Sequence, residues 1–151
     1  MYRFCKRLFD IVCATLGIIG TSPIWIISII LTELSDPGPL FYFANRVGKD
    51  NKKFKMWKFR SMCKDADKMK DALLAENEVE GPMFKMRDDP RVTRIGRFIR
   101  RHSIDEFPQF LNVLLGDMSV VGPRPPLPRE VAQYDELAMQ RLAVKPGLTG
   151  P

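Results

Sequence analysis

Ile11-Val12-Cys13-Ala14-Thr15-Leu16-Gly17-Ile18-Ile19-Gly20-Thr21-Ser22-Pro23-Ile24-Trp25-Ile26-Ile27-Ser28-Ile29-Ile30-Leu31-Thr32 carries no charged residue. As a helix rising about 1.5 Å per residue it is about 33 Å long, enough to cross a hydrocarbon layer of roughly 30 Å. A cleaved signal peptide fits poorly: the run is too long for an ordinary apolar core, no Ala-x-Ala-like site follows it, and a proline sits at its centre. The reading predicts a retained membrane element over residues 1–35.

The flanks bear on its path. Arg3, Lys6 and Arg7 precede the run, and Arg46, Lys49, Lys52, Lys53, Lys55, Lys58 and Arg60 follow it. Cationic flanks favour the cytoplasmic side, so both ends prefer the same face. Proline at position 23 interrupts the hydrogen-bond ladder, and Ser22 beside it can satisfy a freed backbone group. Together they predict a re-entrant helix–break–helix with its break at Ser22 and Pro23. The alternative is a single-pass helix with a tolerated proline kink. Asp10, near the membrane edge, is expected to pair with Lys6 or Arg7.

The remainder, residues 36–151, is long enough for one domain with a core, opened by the turn signal Ser35-Asp36-Pro37-Gly38-Pro39. A net charge of +6 and a pI near 9.4 point to an anionic partner: nucleic acid, an anionic membrane surface or a phosphorylated small molecule. Cys5, Cys13 and Cys63 have no metal-type spacing and are expected to be reduced, and the two in or beside the apolar run, Cys5 and Cys13, are expected to behave as small apolar groups. No phosphate-cradling GxxxxGK[ST] is present, which excludes a P-loop, and no internal repeat appears.

Leu40-Phe41-Tyr42-Phe43 reads as a short strand or an apolar edge resting on the membrane, and Phe54-Lys55-Met56-Trp57-Lys58-Phe59-Arg60 as a strand whose basic face meets either solvent or lipid phosphates. Residues Lys64 to Glu80 read as a charged surface helix stopped by Gly81-Pro82. Asp88-Asp89-Pro90-Arg91 reads as a turn into a helix with Ile95, Phe98 and Ile99 opposite Arg94, Arg97, Arg100 and Arg101. Such a helix can lie along a membrane with its cations toward phosphates.

Chemistry concentrates in Arg100-Arg101-His102-Ser103-Ile104-Asp105-Glu106-Phe107-Pro108. Adjacent carboxylates among arginines suit work on a phosphate, since the anions can hold a divalent cation or attack phosphorus while the cations neutralise phosphoryl oxygens. The competing reading is structural: Ser103-x-x-Glu106 is also a capping box, with Asp105 a first-turn carboxylate. Pro108 weakens the cap, because it falls just beyond the first turn of the helix that Ser103 would start. The single histidine, His102, cannot build a histidine metal site. Phe110, Leu111, Val113, Leu114 and Leu115 give the next helix an apolar face, stopped by Gly116. Pro123-Arg124-Pro125-Pro126 fixes a stiff loop that presents Arg124.

Taken in order, Lys6-Arg7-Leu8-Phe9-Asp10, Ser22-Pro23, Asp36-Pro37-Gly38-Pro39, Lys58-Phe59-Arg60-Ser61-Met62, Thr93-Arg94-Ile95-Gly96, Ser103 to Gln109, Asn112-Val113, Gly116-Asp117-Met118-Ser119 and Val121 to Pro125 resemble the successive motifs of bacterial sugar transferases, the monotopic phosphoglycosyl transferases. The resemblance covers nearly the whole chain. It implies transfer of a sugar-1-phosphate from a UDP-sugar to undecaprenyl phosphate with release of UMP, initiating polysaccharide or glycoconjugate assembly. It further implies Asp105 as the nucleophile of a covalent phosphosugar intermediate, Glu106 as its partner in metal binding or proton movement, and Mg2+ at both. Arg124 carries over as a nucleotide-diphosphate contact, Arg100 as a cation near the lipid phosphate, and Lys58 and Arg60 as structural or phosphate-binding groups.

The expected fold class is a helix-rich α/β (α+β) catalytic domain, residues 36–151, on the re-entrant element, at the cytoplasmic face of a bacterial inner membrane. Lys145 to Pro151 resembles the start of a motif that normally runs on, implying a chain cut short at its C-terminus, and nothing multi-spanning precedes Lys6, implying the compact form of the family. Membrane lipid is an expected partner and nucleic acid is not, for want of a recognition motif. Homo-oligomerisation is left open. The rival from another class is a membrane-anchored basic module that docks anionic lipid or nucleic acid without turnover.

Overall fold

The computed structural model describes residues 2–66, 68–69 and 89–150. Its first element, α1 (Tyr2–Ser35), is among the described residues the one helix long and apolar enough to cross a membrane. The helix is inside-out by the standards of a water-soluble protein. Its buried residues are Asp10, Ala14, Ser28 and Thr32, whereas Leu16, Ile19, Ile26, Ile27 and Ile30 are exposed. An apolar surface of that extent marks a contact with lipid or protein.

The helical assignment runs unbroken through Pro23, so the expected interruption is not seen as a gap between two helices. The local cost of proline is visible all the same. An α-helical amide at position 23 would donate to the carbonyl of Ile19, and proline has no such donor. The Ser22 hydroxyl donates to that same carbonyl at 2.8 Å, and the Thr21 hydroxyl donates to Gly17 at 2.6 Å. Serine thus supplies the compensation expected of it.

Strands β1 (Phe41–Val47) and β2 (Lys53–Phe59) form an antiparallel hairpin. Asp50 and Asn51 take positive φ in its turn, as Asp and Asn tolerate better than most residues. The register sets Tyr42 opposite Lys58, Ala44 opposite Met56 and Arg46 opposite Phe54. Side chains directly opposite share a face, and those along a strand alternate. Lys58 therefore lies on the face of Phe54, Met56 and Arg46, while Lys55 lies with Trp57 and Phe59. The hairpin does not gather its cations on one basic face.

Asp89 accepts bonds from the Arg91 amide, Nε and Nη2 at 3.0, 2.9 and 2.6 Å, closing the expected turn. Helix α2 (Arg94–Arg101) follows, with the Thr93 hydroxyl accepting from the Gly96 amide as an N-cap. Ile99 is buried, but Phe98 is exposed, so the apolar stripe is only partly covered. The charged helix expected over residues 64–80 and its stop at 81–82 lie outside the described residues, apart from 64–66 and 68–69.

Helix α3 (Gln109–Leu115) ends at Gly116, whose φ of 94° is the left-handed C-cap that glycine adopts at little cost. Its buried residues are Gln109, Asn112 and Val113, and Leu115 is exposed, so the covered side is partly polar. Asn112 is fully buried because its side chain is used: it accepts from the Trp57 amide at 2.9 Å and donates to the Lys55 carbonyl at 2.8 Å. That clamp ties α3 to β2.

Strand β3 (Ser119–Val121) pairs in parallel with β4 (Gly147–Thr149), and the short helices α4 (Pro128–Val131) and α5 (Glu136–Met139) lie between them in sequence. Gly122 and Gly147 approach so closely that a Cβ on either would collide with the other's backbone. Of the two apolar clusters, one joins Ala14 to Met56, Val113 and Met118. The other joins Trp25 and Ile29 to Phe59, Ile99 and Ile104. Helix α1 is thus a component of both cores. Its N-terminal end is also bonded to the body. Arg7 donates to the Val113 and Leu114 carbonyls at 2.6 and 2.7 Å, capping α3. Asp10 accepts from Lys6, Ser119 Oγ and the Val120 amide at 2.6, 2.9 and 3.0 Å, so it does pair with Lys6 as expected.

Candidate active site

Ser103 has a positive φ of 55° and its side chain makes no capping bond. The capping-box reading of Ser103 and Glu106 therefore does not hold. A 3-10 turn over Ile104–Glu106 separates α2 from α3, which starts beyond Pro108. This turn frees Glu106 to reach across to the hairpin.

The hairpin meets it with Lys58. Its Nζ is 2.8 Å from Glu106 Oε1 and 3.6 Å from Asp105 Oδ2. The two carboxylates differ in setting: Asp105 is 9% exposed, whereas the Glu106 side chain is 49% exposed. Burial raises the Asp105 carboxyl above the ordinary aspartate range and Glu106 adds to the rise, while Lys58 and Arg100 pull the other way. Adjacent carboxylates are thereby made unequal.

A cavity of about 380 Å³ opens beside them. Lys58, Glu106 and Gln109 line it together with Arg46, Met56, Arg124, Pro125, Gly122 and residues 147–150. Asp105 is not in the wall but adjoins it through Lys58, whose Nζ is 3.6 Å from its carboxylate. The Pro-Arg-Pro loop is fixed by its buried prolines, Pro125 and Pro126, and by a 3.0 Å bond from the Val47 amide to the Pro126 carbonyl. Arg124 is accordingly presented to the cavity, as its loop suggested.

Two of the expected cations lie elsewhere. Arg60 is buried and directed to the end of α1, where Nη1 is 2.9 Å from Asp36 Oδ2 and Nη2 bonds the Asp36 carbonyl. Of the two roles the sequence left open for it, the structural one is observed. Arg100 is exposed, its Nε donates to Ser61 Oγ at 2.8 Å, and it is close enough to act electrostatically on Asp105. His102 is bonded through Nδ1 to the Phe98 carbonyl at 2.9 Å and stacks against the Phe98 ring, a local role.

Whether this set suits Mg2+ can be judged from its donors. Two carboxylates already converge on one cationic atom, Lys58 Nζ, and both offer the hard oxygen donors that Mg2+ takes. Among the described residues no group of three His, Cys, Asp or Glu could form a cage. The arrangement fits an ion held by one or two carboxylates together with substrate phosphates.

Sequence reasoning missed Arg46 and Gln109. Arg46 figured only as a charge flanking the apolar run, because the register that sets it on the face of Lys58 is a tertiary fact. Alternation within residues 41–47 could have paired Arg46 with Tyr42 and Ala44 on one face, but not with this cavity.

An α/β body is built onto a long apolar helix, and Glu106 lines a cleft with Lys58, Arg46 and Arg124, a cluster of cations of the kind that suits a phosphate-bearing ligand. The chain belongs to the bacterial sugar transferase family, which it matches over residues 1–151. The resemblance read from its motifs is thereby borne out. It is 48% identical to the galactosyl transferase CpsE of Streptococcus agalactiae serotype III (strain NEM316), over 99% of this chain and 33% of that protein. It is 42% identical to the UDP-N-acetylgalactosamine-undecaprenyl-phosphate N-acetylgalactosaminephosphotransferase of Aeromonas hydrophila, over 99% and 34%. It is 44% identical to the UDP-glucose:undecaprenyl-phosphate glucose-1-phosphate transferase of Escherichia coli (strain K12), over 98% and 30%. The chain thus spans about a third of the length of these relatives.

Proposed function

We propose that the chain transfers a sugar-1-phosphate from a UDP-sugar to undecaprenyl phosphate, at the cytoplasmic face of a bacterial membrane. The observation that carries this reading is the buried Asp105 held beside Lys58 and Glu106 at the edge of a cavity that also holds Arg124. Two of the relatives are named for transfer of a sugar phosphate to undecaprenyl phosphate, each for a different sugar. The lipid acceptor is what those names share.

In this reading the donor's diphosphate enters between Arg124 and Lys58. Lys58 turns from Glu106 toward the phosphoryl oxygens and uncovers Asp105, whose carboxylate oxygen attacks the sugar-bearing phosphorus. The new P–O bond forms as the bond to the nucleotide-side oxygen breaks, and UMP departs. A lipid phosphate oxygen then displaces the Asp105 carboxylate, restoring it. Two displacements replace one difficult transfer between two anions. Burial serves the first of them, since a poorly solvated carboxylate has less water to shed. Mg2+, when bound at Asp105 and Glu106, would neutralise diphosphate charge. Arg100, exposed beside the dyad, is the cation suited to the incoming lipid phosphate.

The path of α1 enters the same proposal. Lys6 and Asp36, about 45 Å apart along a straight helix, are both bonded to the one body, to Ser119 and to Arg60. A spanning helix would carry one of them across the bilayer. That supports a re-entrant element whose two ends share the cytoplasmic side. The alternative, a basic module that binds without turnover, rests on the charge excess alone.

The test is UMP release from UDP-sugars by membrane-reconstituted protein with undecaprenyl phosphate and Mg2+. Release that requires Asp105 and leaves a phosphosugar adduct on it supports the transferase. A folded protein that releases no UMP from any UDP-sugar, alone or within a longer chain, refutes it.

A further inference from the structure

Arg46 is built into the cavity wall. Its side chain is half-buried, its Nε is buried without a hydrogen-bond partner, and its closest polar contact is a long 3.4 Å approach of Nη1 to the Pro125 carbonyl. Among the described residues no carboxylate lies within ion-pairing distance of either Arg46 or Arg124. Burial disfavours the charge on Arg46 and the neighbouring Arg124 disfavours it further, and the more distant Glu130, Tyr42 and Glu106 offset this only in part. Two guanidinium groups held near each other with no carboxylate in pairing reach are costly, and a bound anion would relieve both the burial and the mutual repulsion.

The scaffold makes this closeness obligatory. The Val47 amide bonds to Pro126, so the end of β1 and the Pro-Arg-Pro loop are fixed side by side. The hairpin then sets the spacing from the carboxylates. Lys58 stands opposite Tyr42, and Arg46 is four residues farther along the same face, about 13 Å at the usual strand rise. Both side chains are long enough to converge on one extended anion from its two ends. Lys58 marks the end at Asp105, where phosphorus is attacked, and Arg46 marks the far end.

We propose that Arg46 is a substrate-binding residue that pairs with Arg124 to hold the nucleotide-side phosphate of the donor, and that keeps hold of this phosphate after it has left as the nucleoside monophosphate. This rests on the transferase reading of the cavity. Arg46 would therefore govern affinity for donor and product, and with it product inhibition, rather than the attack at Asp105.

The test is binding of UMP and of uridine to the full chain in lipid nanodiscs, for wild type, Arg46→Gln and Arg46→Lys, with unfolding followed in parallel. Loss of a charge-assisted contact predicts UMP binding about 10- to 100-fold weaker in Arg46→Gln, with uridine binding unchanged. Arg46→Lys should fall between, because lysine keeps the charge and loses the fork. Equal UMP affinity in wild type and Arg46→Gln overturns the proposal, as does an equal loss of uridine affinity, which would mean a deformed cavity. Should Arg46→Gln not fold, Arg46→Lys decides: UMP weaker with uridine unchanged supports the clamp, and UMP unchanged overturns it. Wild-type protein that binds no UMP would instead remove the transferase reading on which the clamp depends.

Discussion

Lys58 Nζ lies 2.8 Å from Glu106 Oε1, across the seam between the hairpin and the turn that precedes α3. The same nitrogen faces Asp105, so one cation governs two carboxylates of unequal burial. Lys58→Met removes an influence that holds the Asp105 carboxyl down. The acid limb of the pH–rate profile should therefore move to higher pH, with the plateau rate lowered about 100-fold as expected for loss of a charge-stabilising donor. Single-turnover rates measured across pH would check both, and an unmoved acid limb would separate Lys58 from Asp105.

Asp105→Asn should abolish UMP release, by at least about 1,000-fold for loss of a nucleophile, without costing stability. The sign follows from burial. A carboxyl raised on folding contributes stability below its unfolded pKa and loses it as pH rises through the folded value. At neutral pH the wild-type carboxylate is thus a liability that asparagine lacks. Denaturant midpoints of the two proteins should diverge in favour of Asp105→Asn as pH rises from acid to neutral.

Arg60→Ala and Arg124→Ala should behave oppositely. Arg60 is buried against Asp36 just past the end of α1, and removing it leaves the Asp36 carboxylate poorly partnered, a loss of about 3 kcal/mol, at the low end for broken buried pairs because Asp36 is partly exposed. Arg124 is exposed at the cavity, and its loss should weaken UMP binding about 10-fold or more with little change in unfolding. Calorimetry for unfolding and for nucleotide binding would distinguish the two arginines.

The native cysteines report topology. Cys5 is exposed near the start of α1, and Cys63 lies beyond its end. With Cys13→Ser as background, both should react with a membrane-impermeant maleimide in inside-out vesicles and neither in right-side-out ones. Cys5 labelled from the opposite side to Cys63 would mean a spanning helix.

Asn112→Ala should destabilise by about 2–3 kcal/mol, since a Trp57 amide and a Lys55 carbonyl lose their partner away from water. The strand that carries Lys58 would loosen with it.

What the sequence made legible was local. Residues 11–32 announced their environment by lacking charge, Ser22 and Pro23 announced a backbone problem and its remedy, and Gly116 announced a helix end. Each of those signals is contained within a few neighbouring positions. Arg60 and Arg46 show the opposite case. Arg46 sits in β1 and Arg60 just past the end of β2, each among similar cations, and only tertiary packing decides that one grips Asp36 while the other enters the cavity. Ser103 misled for a related reason: its spacing to Glu106 matches a cap, but its own left-handed backbone withdraws the hydroxyl from that use.

Helix α1 gives Ala14 to one core and Trp25 to the other, and directs Asp10 inward while its isoleucines face outward. Such a helix is not a tether that can be clipped off to liberate an intact body. Deleting it would leave two cores open and strip the end of α3 of its Arg7 cap, so helix and body must be inherited, transplanted and engineered as one piece.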